Sequence, residues 1–291
     1  MKKLFSLLSV LLLFLGARAQ DSYAGLGMPG DNLNLYVVLD AFKQASSLEN
    51  FEKQLNDPSA NINNLDLNND GIIDYLKVTD YGKDNYHTII IQDIISSVET
   101  QDVAVIDLQK NEGNVVHVQI VGDESLYGKN YIIEPQIETA KQNNEQTVVV
   151  NNTYYVNAWA WPSVTYIYGP AYSVWASPWH WAYYPGWWNP RPHMVYNVYY
   201  SHHSGFGWNH YCRRYQVINR PYYSNYYHSR RVVSNTVQVN ITKKVYKNNA
   251  PRVAVSNNTN GNKAGSSNPK NNNGGWKKND ANGANNANNA N

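Results

Sequence analysis

Apolar positions recur first at helical spacing and then at strand spacing. Leu35, Val38, Leu39 and Phe42 share one face of a 3.6-residue turn, which predicts a helix over residues 32–44 with Asp31 as its cap. A second helix is expected from Ser46, with Glu49 three residues on in a capping-box arrangement. Leu48, Phe51 and Leu55 line its inner side, and Pro58, lacking an amide donor, ends it. Beyond a loop the period changes to two. Residues 73–81, 86–95, 103–108 and 115–121 are rich in β-branched and aromatic side chains with polar ones interleaved, and the turn sequences YGKDN and NEGN separate them. Four short strands in succession favour an antiparallel meander with the two helices on one face. The expectation is an α+β domain of about 115 residues, large enough to bury its own core.

The pattern then degrades. Between Tyr154 and His228 lie 16 of the 24 tyrosines, 8 of the 9 tryptophans and 6 of the 8 histidines, whereas leucine is absent, so the usual aliphatic filling of a core is missing. Pro162, Pro170, Pro178, Pro185, Pro190 and Pro192 interrupt any long helix. The segment 154–231 is therefore expected to be irregular. Residues 232–246 alternate well enough for one strand, which would pair with 148–156 as a two-stranded stem. From about residue 248 Asn, Gly, Lys and Ala dominate, a composition that buries too little apolar surface to fold. The organisation read from the chain is 1–19, an export signal; 20–135, an α+β domain; 136–153, a linker entering a strand; 154–231, the aromatic segment; 232–247, a strand; and 248–291, a disordered tail.

Charge divides the chain at the same place. Residues 20–147 hold 21 Asp and Glu against 7 Lys and Arg, while 148–291 hold 1 against 14. The overall +2 thus conceals an acidic half and a basic half. The start has Lys2 and Lys3, an apolar run to Leu15 and an Ala17-Arg18-Ala19 ending, the form of a cleaved secretory signal. An exported protein is expected: periplasmic, outer-membrane-associated or extracellular, with no transmembrane helix in the mature chain. Cys212 is the single cysteine, so no internal disulfide framework exists.

One motif is specific. In DLNNDGIID, the residues Asp66, Asn68, Asp70, Gly71 and Asp74 occupy positions 1, 3, 5, 6 and 9 of a D-x-[DN]-x-[DN]-G calcium loop. Calcium takes six to eight oxygens, and alternate side chains of a tight loop point three of them inward. The Ile72 carbonyl would add a backbone ligand, and Asp74 would bind directly or through water. The segment resembles the calcium loops of EF-hand and dockerin proteins over about nine residues. It departs from them at the twelfth position, which is Lys77, and in being followed by a strand rather than a helix. The resemblance implies Ca²⁺ at Asp66, Asn68, Asp70, Ile72 and Asp74; without it, the same residues make an ordinary Asx-rich turn.

The aromatic, basic half suggests contact chemistry. Tyr and Trp faces stack on sugar rings, and Arg213, Arg214, Arg220, Arg230 and Arg231 would attract the phosphates or carboxylates of an envelope polymer or glycan. Peripheral membrane contact is compatible with this composition, and export demotes nucleic acid as a partner. One alternative is a metal-handling protein holding zinc or copper on His193, His202, His203, His210 and Cys212; another is a partly ordered tail whose aromatics pack on each other or on the acidic domain. No G-x-S-x-G, H-E-x-x-H, Walker or dinucleotide motif is present, and a non-catalytic protein is expected. The segments SLENFEKQLND, DLNNDGIIDYLKV, QDVAVIDL and VHVQIVGDESLYG resemble secreted proteins of Gram-negative bacteria that couple such a domain to a Tyr/Trp/Pro-rich tail. That resemblance implies a shared fold and no particular activity.

Overall fold

The structure is a computed structural model that describes residues 25–135, 147–150, 153–203, 212–215, 227 and 229–246. For 147–150, 153–155 and 212–215 the description is of the backbone. The expected export signal and the Asn-rich tail lie outside these residues, as do His210 and Arg220.

Two helices open the domain. Helix α1 (Leu35–Gln44) begins three residues later than the periodicity suggested, because Asn34 rather than Asp31 accepts the first free amide, from Tyr36 at 3.0 Å. Asp31 instead collects the amides of Leu26, Gly27 and Met28 in the turn before it. Helix α2 (Leu48–Asn56) is capped by Ser47 Oγ, which accepts the Asn50 amide. The predicted faces are buried, and Phe42 meets Phe51 edge to face at 5.4 Å between ring centres.

Five strands follow as an antiparallel meander: β1 (Leu76–Asp80), β2 (Tyr86–Ile94), β3 (Thr100–Asn111), β4 (Val115–Gly122) and, after the single-turn helix α3 (Glu124–Tyr127), β5 (Ile132–Pro135). The fold is α+β, but the four-stranded sheet expected from the sequence is larger. Among the described residues it has six strands, the sixth being Cys212–Tyr215, which returns from the aromatic half to pair with β5. In chain order β6 (Thr147–Val150) and β7 (Thr153–Val156) precede it and pair with each other, so the returning strand is β8. Ile89, Ile91, Ile106, Leu108, Val118 and Ile120 face the helices, while Ile90, Val105, Val121 and Ile132 pack with Tyr227 on the other side. Both faces of the sheet are therefore covered.

The described residues of the basic half are built into this domain. Helix α4 (Pro162–Ile167) packs against α1, and helix α5 (Tyr196–His203) inserts Tyr199, whose hydroxyl donates to the Ile62 carbonyl and accepts the Asn34 amide, each at 2.9 Å. Residues 175–177 lie along the free edge of β1: the Asp80 amide donates to Trp175 O and the Ser177 amide to Val78 O. An unpaired edge is thereby closed. Arg231, expected to face outward, instead grips the buried Asp123 at 2.5 and 2.9 Å and reaches Glu124 at 3.1 Å.

The expected strand over 232–246 is a helix, α6 (Asn235–Thr242). Ser234 caps it by accepting the Val237 amide, and Glu99 accepts both the Ser234 hydroxyl and the Thr236 amide. The two-stranded stem between this segment and 148–156 is replaced by the β6–β7 hairpin. Among the described residues, no helix is long and apolar enough to cross a membrane.

Candidate metal centre

The D-x-N-x-D-G loop connects α2 to β1 and is held at both ends by buried asparagines. Asn56 at the end of α2 donates to Leu76 O at 2.6 Å and accepts the Leu76 amide at 2.9 Å. Asn63 donates to the Asp74 carbonyl and accepts the Leu65 amide. Between these clamps the chain turns tightly, with Asn69 at φ 60° and Gly71 at φ 86°. Any side chain at 71 would be strained there, which explains the glycine.

Four of the five predicted residues use side chains to organise the turn. Asp66 accepts the amides of Asp70 and Gly71, each at 3.0 Å; Asn68 also accepts Asp70 N, and Asp70 accepts Ile72 N. Asp74 is buried beneath them and accepts Leu67 N at 2.5 Å. The fifth, Ile72, lies at the bridge to Pro192. Among the described residues, no group of three or more His, Cys, Asp or Glu side chains is placed to hold a metal ion.

Asp93 on β2 was not singled out by the sequence. It is fully buried, and neither carboxylate oxygen receives a hydrogen bond from a donor group. Its polar neighbour is the Asp74 carboxyl, within hydrogen-bond reach, and Asp66 and Asp70 bear on it electrostatically. Burial, then the charge of Asp74, pushes its carboxyl well above the usual range. Burial likewise raises Asp74 strongly and Asp66 to a lesser degree. Two dry carboxylates facing each other need either a shared proton or a cation. The oxygen-rich donor set suits a hard cation such as Ca²⁺. A signal for Asp93 did exist: Ile89, Ile91 and Asp93 fall on one strand face, so alternation puts a carboxylate where a core aliphatic belongs.

Lys77, in place of the twelfth-position carboxylate, pairs in register with Gln92, while Leu76 pairs with Asp93. Its ammonium is pulled down by burial and pushed back by Asp102 and Glu52. The basic half walls the loop: Ile73 N donates to Arg191 O, His193 N to Gly71 O, and Tyr246 and Asn240 both donate to Leu67 O. Asp66, Leu67, His193 and Tyr246 line a cavity of about 210 Å³.

The proposed zinc or copper residues are dispersed in role. His193 lines that cavity beside Asp66, and His202 is exposed. His203 is buried with its ring edge-on to Tyr199 at 4.6 Å. Cys212 lies in β8, and His210 falls outside the described residues. Burial drives the His203 imidazole down to about 4, against an opposing contact with the Asn61 backbone. Between the ordinary value near 6.5 and about 4 the unfolded chain then binds a proton that the folded chain refuses. This stabilising contribution is complete above pH 6.5 and is lost as pH falls through 4. In thermal melts, the gap between wild type and His203→Gln should therefore change across that window and be constant above it; a gap independent of pH would contradict the assignment.

A second cleft, of about 330 Å³, opens beside β2 and is lined by Lys83, Asn85, His87, Lys110, Tyr168 and Tyr172, among others. The buried Asp80 accepts from Tyr172 and contacts His87 Nδ1, each at 2.6 Å. No Ser, Thr or Cys stands among the lining residues to act as a nucleophile there.

Comparison of the chain with protein-family models, with curated proteins and with solved structures finds no match.

Proposed function

We propose that this chain is a non-catalytic, exported, envelope-associated binding or structural protein. Calcium held by Asp66, Asn68, Asp70, the Ile72 carbonyl and Asp74 stabilises its sheet domain, and its aromatic, basic half makes outward contacts. The observation that carries the calcium reading is the buried Asp74 carboxylate beneath a turn of the D-x-N-x-D-G type. Calcium would supply charge neutralisation there. The residues themselves shape the turn through the amides they accept, and Asn63 fixes Asp74 from behind.

The outward contacts are assigned to residues 181–188 of the aromatic half. Tyr184, Trp187 and Trp188 pack around Tyr75, and Trp181, Tyr183 and Trp187 leave 40, 57 and 38 % of their surfaces exposed. Flat, amphipathic faces of this kind stack on sugar rings, and Lys53 stands over Trp187 at 5.7 Å. Full-length protein is expected to be retained on peptidoglycan or lipopolysaccharide. Trp181→Ala with Tyr183→Ala should reduce that retention about thirtyfold, since each ring contributes about 1 kcal/mol. Retention on neither polymer, or equal retention of the double variant, would sink the contact reading.

A further inference from the structure

We propose that Asp93 is itself a ligand of the cation, supplying from strand β2 the carboxylate that the loop lacks at its twelfth position. The inference rests on the calcium reading above and names a residue outside the loop motif. Its ground is positional. Asp93 sits opposite Leu76 in the β1–β2 register, on the face where Ile89 and Ile91 enter the core, so nothing in sheet packing calls for a carboxylate there. It is wholly buried and both oxygens lack a donor; the Leu76–Asp93 pair and the Ile94 amide donating to Tyr75 O set it beside Asp74, the most buried of the five loop residues. An isolated buried carboxylate is costly unless a partner compensates it.

The alternatives for a compensating partner are limited in kind. A basic side chain would serve, but Lys77 stands opposite Gln92, one register position away from the Leu76–Asp93 pair. The charges that bear most on Asp93 are those of Asp74, Asp66 and Asp70, all of the same sign, so the buried pair must either share a proton or hold a cation. A divalent cation bound by oxygens from both the loop and the strand turns this repulsion into coordination. It also ties the loop to the second strand of the sheet rather than only to the first. The local helix-loop-helix partner of an EF-hand is then unnecessary, which accounts for a strand following the loop.

Terbium, a luminescent stand-in for calcium, reads the coordination directly in the full-length protein. Decay rates in H₂O and D₂O count the waters left on the ion, and Tyr184 and Tyr246, which both sense the charges of Asp74 and Asp93, are placed to sensitise it. Asp93→Asn keeps the shape and removes the charge. The variant is expected to bind calcium on the order of tenfold more weakly, to admit one additional water onto terbium, and to melt no lower than wild type when calcium is absent. Circular dichroism checks folding, and Asp93→Ser gives the same reading if the amide is not accommodated. Unchanged affinity and unchanged hydration in the variants, with wild type binding calcium and Asp70→Asn not, would overturn the role of Asp93 alone. Failure of wild type to bind calcium or terbium would overturn the calcium reading, and the role of Asp93 with it.

Discussion

Replacing Glu52 by Ala is expected to destabilise the protein by about 3–5 kcal/mol, because one buried carboxylate serves three donors whose loss costs about 1–3 kcal/mol each. Glu52 is 2 % exposed on the inner side of α2. One oxygen accepts the Tyr75 hydroxyl at 2.8 Å and the Ser177 hydroxyl at 2.9 Å, and the other accepts the Val78 amide at 2.8 Å. Burial raises its carboxyl above the ordinary value, opposed by those hydrogen bonds, with the Val78 amide first among them. Glu52 therefore joins α2, β1 and the aromatic half at one point. Without it the strap at 175–177 loses an anchor on the β1 edge and the tryptophan cluster over Tyr75 loosens. Urea denaturation followed by tryptophan emission measures the effect. Glu52→Gln, which keeps one acceptor oxygen, should cost about half as much. Equal stability of the Ala variant and wild type would show that the three bonds contribute nothing net.

Saturating calcium is expected to raise the melting temperature by about 5–10 °C. A ligand that binds only the folded state at a hundred times its Kd adds about 2.7 kcal/mol, and for a domain of this size each kcal/mol moves Tm by about 2–4 °C. The effect should be reversed by chelation and absent in Asp70→Asn. Asp70 is the suitable probe because it is exposed, so its replacement changes the donor set without opening the core. Magnesium at the same concentration should do less, since it demands a smaller, near-octahedral shell than a loop of this kind provides. Coincident melts with calcium, magnesium and chelator would contradict the stabilising role.

The helices of the domain were legible because Leu35, Val38, Leu39 and Phe42 repeat at a period that only a helix makes one-sided, and the observed burial follows it. The meander was legible for the analogous reason. Helix α6 was not. Val237, Val239 and Ile241 alternate as in a strand, yet Val237 alone of the helix is buried, and the conformation is set by the Ser234 cap and by Glu99, 135 residues away in sequence. A tertiary partner at that distance leaves no local trace, and it overrides β-propensity.

Charge was uninformative in a similar way. A count of charges says nothing of burial, and in the acidic half Asp31, Asp74, Asp80, Asp93, Asp102 and Asp123 are buried. Most of them accept backbone amides, as Asp31 does from Leu26, Gly27 and Met28 and Asp102 does from Val232. Asp123 also receives Arg231 from the basic half. The residues proposed as loop ligands are legible because their spacing is local. Asp93 was not read as one of them, because its relation to the loop is made by the pairing of β1 with β2 and by no spacing along the chain.

The central claim is that this loop binds calcium, and calorimetric titration of the full-length protein, first stripped with chelator, tests it most directly. Saturable heat with a single calcium ion per chain is expected, and none in Asp70→Asn. An absence of heat at millimolar calcium, or stoichiometric zinc or copper retained by protein purified without added metal, would contradict it.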